Sequence, residues 1–320
     1  MAQLLSAPPV TSCRLFTALG ESMARWLHLS LWDPPTFQIL QCHFMPSTES
    51  PDPSPDDSSS LLAFHRAFGR ELHQAIRSIP LPMGSQVLDA PCGDGFYSVA
   101  LARRLYPFGT VTASDLSDAY LDRARTAVGR RVRLSSVKCV KADSYHLPFD
   151  DDLFDVVWCA RSLISLNDPV AALKEMRRVV RPGGIVTVLE DDEFHRVVLN
   201  GPVDLELDVH RAVAEAARKR YGSCAGVSPS RRVYRFLLDA GLRLEWRKTF
   251  AADRHAPFNP AVRRYLRIHL KEKRIFIADY LSNSVLAAFD RAIDPGNPMS
   301  LFCRPDAELT CLTTLFLARK

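Results

Sequence analysis

From residue 62 onward the apolar residues change period repeatedly, and this alternation constrains the fold more than any other feature of the 320-residue chain. LLAFHRAFGRELHQAI carries apolar positions at helical spacing, SQVLDA is a short apolar run, and SVALARRLY is helical again. TVTASD reads as a strand and AYLDRARTAV as a helix; RLSSVKCVKAD, LFDVVWCA and GGIVTVLE read as strands, the last preceded by the helical PVAALKEMRRVV. Strands joined through helices make right-handed crossovers, so the pattern predicts an α/β fold with a doubly wound, mainly parallel sheet. In such sheets ligands bind beyond the carboxyl ends of the strands, which is where Asp89, Asp115, Asp143 and Glu190 fall.

The stretch VLDAPCGDGFYS, residues 87–98, runs from the first of these strands into a turn and then into a helical pattern. Gly93 and Gly95 resemble the opening of G-x-G-x-x-G, and Asp115 stands 20 residues beyond Gly95, where an acid can accept hydrogen bonds from a ribose. The third glycine of that fingerprint is Ser98 here, and Asp89 and Asp94 border the turn. Carboxylates beside a pyrophosphate would repel it from the helix N-terminus meant to hold it. A cationic nucleoside suits the loop better.

S-adenosylmethionine is such a ligand. VLDAPCGDG, VTASDLS, KADSYHLPFDDDLFDVVWC and RVVRPGGIVTVLE together resemble the class I S-adenosylmethionine-dependent methyltransferases, in the group that includes the small-molecule and quinone-biosynthesis enzymes. The likeness spans about residues 62–192 and implies a Rossmann-like methyltransferase sheet. It further implies that Asp89, Ala90, Pro91, Gly93 and Gly95 surround the methionine part, and that Asp115 and Leu116 meet the ribose side. Ala142, Asp143 and Ser144 are implied at the adenine, and Cys159 and Ala160 near the amino acid end. Pro91 departs from the glycine usual at its position and removes a backbone donor. Taken singly, Asp115 reads better as a helix cap and Asp143 as a turn residue; three aspartates at successive strand ends with the glycine turn are what favour the cofactor.

More than a hundred residues separate Glu190 from the strand-like CLTTLFLARK, more than the sheet needs to finish. The expected organisation is an N-terminal extension over 1–45 with a helical stretch, a disordered linker over 46–60, and a methyltransferase domain over 61–320. Within that domain the core takes about 61–192 plus C-terminal strands, and a helical substrate cap takes about 195–300. The linker reading rests on PSTESPDPSPDDSSS, which has no apolar side chain but proline and only negative charge. In the cap, Arg263, Arg267, Lys271 and Arg274 recur at helical spacing; a solvated face is the commoner meaning, an acidic substrate, an acidic carrier protein or RNA the functional one. For catalysis, His195 with Asp191 or Glu193 is the candidate proton acceptor, against the plain alternative of an acid-rich helix start. His146 and His210 are its rivals, and Cys159 has no neighbour in sequence to activate a thiolate.

The net charge of +5 is too mild to argue for nucleic acid as the main partner, and no RNA-binding signature occurs. The eight cysteines form no C-x-x-C pair and no zinc spacing, so no metal is expected and reduced thiols in a cytoplasm are. No apolar run is long enough to span a membrane and no secretory signal is visible, although Arg14 and Arg25 flank a stretch with one acid that leaves an organelle transit segment open. The expected activity is methyl transfer to a small molecule, apolar or aromatic, with the acceptor atom and the oligomeric state undetermined. An RNA methyltransferase and an S-adenosylmethionine-binding protein without turnover stay open as alternatives.

Overall fold

The computed structural model describes residues 57–131, 137–222 and 228–320. The extension over 1–45 and most of the expected linker lie outside these. The first helix, α1 (Asp57–Ser78), begins inside the segment read as a linker, so residues 57–60 are helical. Its buried face is the run Phe64, Phe68, Leu72 and Ala75, the 3–4 spacing of an amphipathic helix.

The strands follow as β1 (Gln86–Asp89), β2 (Thr110–Asp115), β3 (Val137–Lys141), β4 (Phe154–Ala160), β5 (Val180–Glu190), β6 (Val197–Leu199), β7 (Arg243–His255) and β8 (Glu308–Arg319). Helices α2 (Phe96–Leu105), α3 (Asp118–Arg131) and α4 (Pro169–Val179) make the crossovers. The sheet order is β3-β2-β1-β4-β5-β8-β6, with β7 on the other edge of β8. The first five strands are parallel, and β8 enters antiparallel beside β5. The expected doubly wound, mainly parallel sheet is therefore present.

Alternation along each strand divides the core between two faces. Val87, Val156 and Trp158 join α1 and α2 on one side, while Leu88, Val157 and Cys159 join α4 and α6 (Val233–Asp239) on the other. This corrects the cap boundary. Residues 230–255 fall inside the expected cap, but α6 packs on α4 and β7 runs along the whole of β8, so both finish the sheet. The remaining cap is α5 (Val203–Tyr221), α7 (Pro260–Ile277) and α8 (Asn283–Ile293). It shares one continuous core with α1, which lies along α7.

Each cap helix starts where its sequence supplies a capping acceptor or a proline. Asn259 accepts from the Val262 N–H at 3.0 Å ahead of α7, Ser282 accepts from Val285 ahead of α8, and Pro202 precedes α5. Along α7, Arg263, Arg267 and Lys271 are exposed, and Arg274 pairs with Asp290. The cationic stripe is thus a solvated face, while Tyr265, His269 and Lys273 repeat every fourth residue on the opposite, inward side.

Candidate active site

The glycine turn is set by steric need. Gly93 and Gly95 have φ of +52° and +77°, which L side chains rarely adopt. A Cβ on Gly95 would also lie 2.7 Å from the Ala124 backbone of α3, so the turn and two helices close on one point. Adjacent strand ends are then tied together: Cys92 N–H donates to the Ser114 carbonyl at 2.8 Å, Ala90 to Trp158 at 2.9 Å and Ala142 to Asp115 at 3.0 Å.

The aspartates stand at these ends. Asp115 accepts from the Gly93 N–H on Oδ2 and the Ser117 N–H on Oδ1, both at 3.0 Å. Burial raises its pKa, and those backbone donors work against the shift. Each oxygen keeps a second lone pair, which is what a ribose hydroxyl needs. Leu116, next along, is 61% exposed, a large apolar side chain standing free at the mouth of the sheet. Asp143 accepts from Tyr145 N–H at 2.9 Å in its own turn, and Ser144 is buried beside it.

Asp89 is wholly buried and accepts from Ser98 Oγ at 2.5 Å, while its Oδ1 has no hydrogen-bond partner. Burial, with Asp115 and Asp94 adding repulsion against the Ser98 bond, lifts its pKa to about 8. Asp94 instead faces His65 of α1 at 3.2 Å. Three carboxyls around one turn, one of them with an orphaned oxygen, fit a cationic ligand and not a phosphate.

Cys159 and Ala160 close β4. Cys159 lies within β4 with its side chain in the apolar core facing α4, and burial pushes its thiol well above the ordinary range. Ala160, the last residue of β4, is buried in the core on the other face, directly before the turn that follows. That turn carries Arg161, at φ +54°. Pro91, with Gly93, is half-buried in the loop.

His195 does not pair with Asp191 or Glu193. Its Nδ1 lies 3.0 Å from Asp192 Oδ2, and its side chain is 57% exposed. The reason is local: residues 192–195 form a turn in which Asp192 also accepts from Phe194 N–H, so Asp191 and Glu193 project elsewhere. Burial opposes ionisation of Asp192, but bonds from Ser228, Arg231 and His195 hold it down at about 2. Asp191 pairs with Arg161, and Glu193 with Arg196 at 3.0 Å and Lys273 at 3.3 Å. Of the rivals, the His146 side chain is 87% exposed and His210 packs edge-on against Phe194.

Glu190 is the residue whose chemistry went unread in the sequence. Its Oε1 accepts from the backbone N–H groups of Ser162 and Leu163 at 2.9 and 2.7 Å. Burial raises its pKa to about 7 against those two donors, with Asp191 adding to the rise. It lines a small recess of about 40 Å³ together with Arg161, Asp191, Glu193 and Arg196. Its place as the last residue of a buried strand was the available signal. Among the described residues no cluster of His, Cys, Asp or Glu could hold a metal ion.

Residues 88–188 match the family described as a methyltransferase domain. Demethylmenaquinone methyltransferase of Staphylococcus aureus (strain JH9) is 34% identical over 120 residues, covering 38% of this chain and 48% of that one. The chain thus spans about half the length of the curated relatives it matches. In fold it is similar to a candidate methyltransferase from Bacillus halodurans C-125, at 22% identity and TM-score 0.52 over 79% of this chain and 99% of that one. It is likewise similar to the YcgJ protein of Bacillus subtilis, at 17% identity and TM-score 0.50 over 79% and 98%. The sheet order, the glycine turn and the aspartates at successive strand ends agree with these likenesses, and residues 88–188 are similar to a methyltransferase domain.

Proposed function

We propose that the protein transfers a methyl group from S-adenosylmethionine to a small-molecule acceptor in the cytoplasm. The observation that carries the reading is the convergence of Asp89, Asp115 and Asp143 on adjacent strand ends around the Gly93–Gly95 turn. In this reading Asp89 and the turn face the cationic amino acid part, Asp115 accepts from the ribose, and Leu116 covers one face of the adenine beside Asp143. Five free cysteines among the described residues suit a reducing compartment. The curated relatives from Staphylococcus aureus are named for methylating a demethylmenaquinone, which supports a small acceptor over RNA.

S-adenosylmethionine supplies an already activated sulfonium methyl. The chain's contribution is then to hold the acceptor in line with that methyl and to keep water out. Asp115→Ala should weaken S-adenosylhomocysteine binding by roughly 1–3 kcal/mol through lost ribose hydrogen bonds. Titration calorimetry reads this directly, and tighter binding of NAD by the parent protein would overturn the cofactor assignment.

An acceptor that must lose a proton needs a base, and Glu190 suits that role better than His195. With a pKa of about 7 it is half-ionised near neutrality, and it lines the recess at the end of β5. Glu190→Gln should lower turnover about 10²- to 10⁴-fold and remove the rise in rate through neutral pH. His195→Ala should leave turnover within about threefold, as for a base that never meets the acceptor. The opposite ranking of the two variants would restore His195.

A further inference from the structure

A cavity of about 600 Å³ lies in the cap, with α5 on one side and α7 on the other. Val213 and Ala216 of α5, Phe276 of α7 and Ile164 after β4 give it apolar walls. Ile164, Glu193 and Arg196 line both this cavity and the small recess at Glu190. The cavity therefore leads to the end of β5, where the sheet presents its ligand-binding edge.

Its inner wall carries polar groups without partners. Arg196 Nη2 donates to His269 Nδ1 at 3.0 Å. A guanidinium only donates, so Nδ1 must be the acceptor nitrogen and the hydrogen sits on Nε2. Burial, then the charges of Arg196, Lys273 and Arg161, keep this imidazole neutral by lowering its pKa well below the ordinary value. The Nε2–H is buried with no hydrogen-bond partner, as is Arg196 Nε, while the ring of His269 stacks on Tyr265 behind the wall. Each orphaned donor destabilises the fold until an acceptor oxygen meets it. Arg196 and Lys273 both meet the carboxylate of Glu193, while Arg220, Glu272 and Asp279 complete the charged part of the lining. Burial lowers the Lys273 pKa against the pull of Glu193, and a second anion nearby would support its charge.

Resting on the methyl-transfer reading, we propose that this cavity is the acceptor site and that it selects an acidic small molecule, an apolar or aromatic skeleton bearing one anionic oxygen that Arg196, Lys273 and His269 Nε2–H receive. The apolar walls hold the skeleton, and the anion sits next to the recess that leads to Glu190.

The test compares 1-naphthoate with its uncharged analogue 1-naphthalenemethanol, each titrated into the full-length protein with and without saturating S-adenosylhomocysteine. The naphthoate should bind about tenfold more tightly than the alcohol, the scale of one charge-assisted contact. Lys273→Met should abolish that preference, while Lys271→Met on the exposed face of α7 should leave it intact. Equal affinities for the two probes in the parent protein, or an undiminished preference in Lys273→Met, would overturn the proposal. The comparison within the parent protein stands even if the Lys273 variant fails to fold. Naphthoate selectivity without any S-adenosylhomocysteine binding would leave the anion site and remove the methyl-transfer reading; cofactor binding without selectivity would do the reverse.

Discussion

Between pH 6 and pH 9, Asp89→Asn should gain stability relative to the parent protein by on the order of 3 kcal/mol. The folded-state pKa of Asp89 is lifted to about 8 from an ordinary 3.8, because the carboxyl is wholly buried with Ser98 as its one side-chain partner. A carboxyl whose folded pKa is raised contributes stability that is complete below its unfolded pKa and is lost as pH rises through the folded one. For Asp89 that loss runs from about pH 4 to pH 8. Asparagine copies the protonated form, still accepting from Ser98, but cannot ionise. Urea unfolding of both proteins at the two pH values measures the change in their difference. Parallel curves would show that Asp89 is ionised in the native fold and finds a counter-charge. Glu190, raised to about 7 by burial, loses stability in the same direction in both proteins and so cancels from the comparison. Under the proposed function, S-adenosylhomocysteine binding at neutral pH should also release a proton from the parent protein and not from Asp89→Asn, since the cationic amino group draws Asp89 into its ionised form.

Asp89 shows where sequence pattern suffices and where it stops. Its position was legible because an apolar run ends there and a glycine turn follows. Its protonation was not, since that depends on Ser98, the residue standing where the dinucleotide fingerprint has its third glycine, and on complete burial. Alternation between two core faces made the sheet readable from Val87–Leu88 and Val156–Val157. The cap boundary was less readable, because the apolar period of α6 is the same whether a helix covers the sheet or a ligand. The acid run at 190–195 misled for a different reason. Spacing along a chain does not say which way a turn throws its side chains, and Asp192, not its neighbours, faces His195. The inward row Tyr265, His269 and Lys273 was visible as an i, i+4 series, but the more numerous cations on the outer face of α7 concealed it.

Arg161→Ala should destabilise the fold by about 3–5 kcal/mol, as loss of one partner from a buried ion pair does. The guanidinium lies 3.7 Å over the Phe64 ring of α1 and bonds Asp191 beyond the end of β5. Both side chains are little exposed, at 16% and 8%. Three elements meet there: α1, the turn after β4 and the segment after β5. Without the arginine, Asp191 would hold a buried negative charge next to Glu190, and its Oδ1 already has no partner. The double replacement Arg161→Met with Asp191→Leu removes the charge and the orphaned oxygen together, and should recover most of the loss. Thermal or denaturant unfolding of the two variants separates the cases. A cost below about 1 kcal/mol for Arg161→Ala, the range of an exposed pair, would mean that Asp191 does not depend on this arginine and is free to take part in proton transfer. A large cost with recovery in the double variant confines Asp191 to holding α1 against the sheet and leaves Glu190 as the carboxyl at the recess.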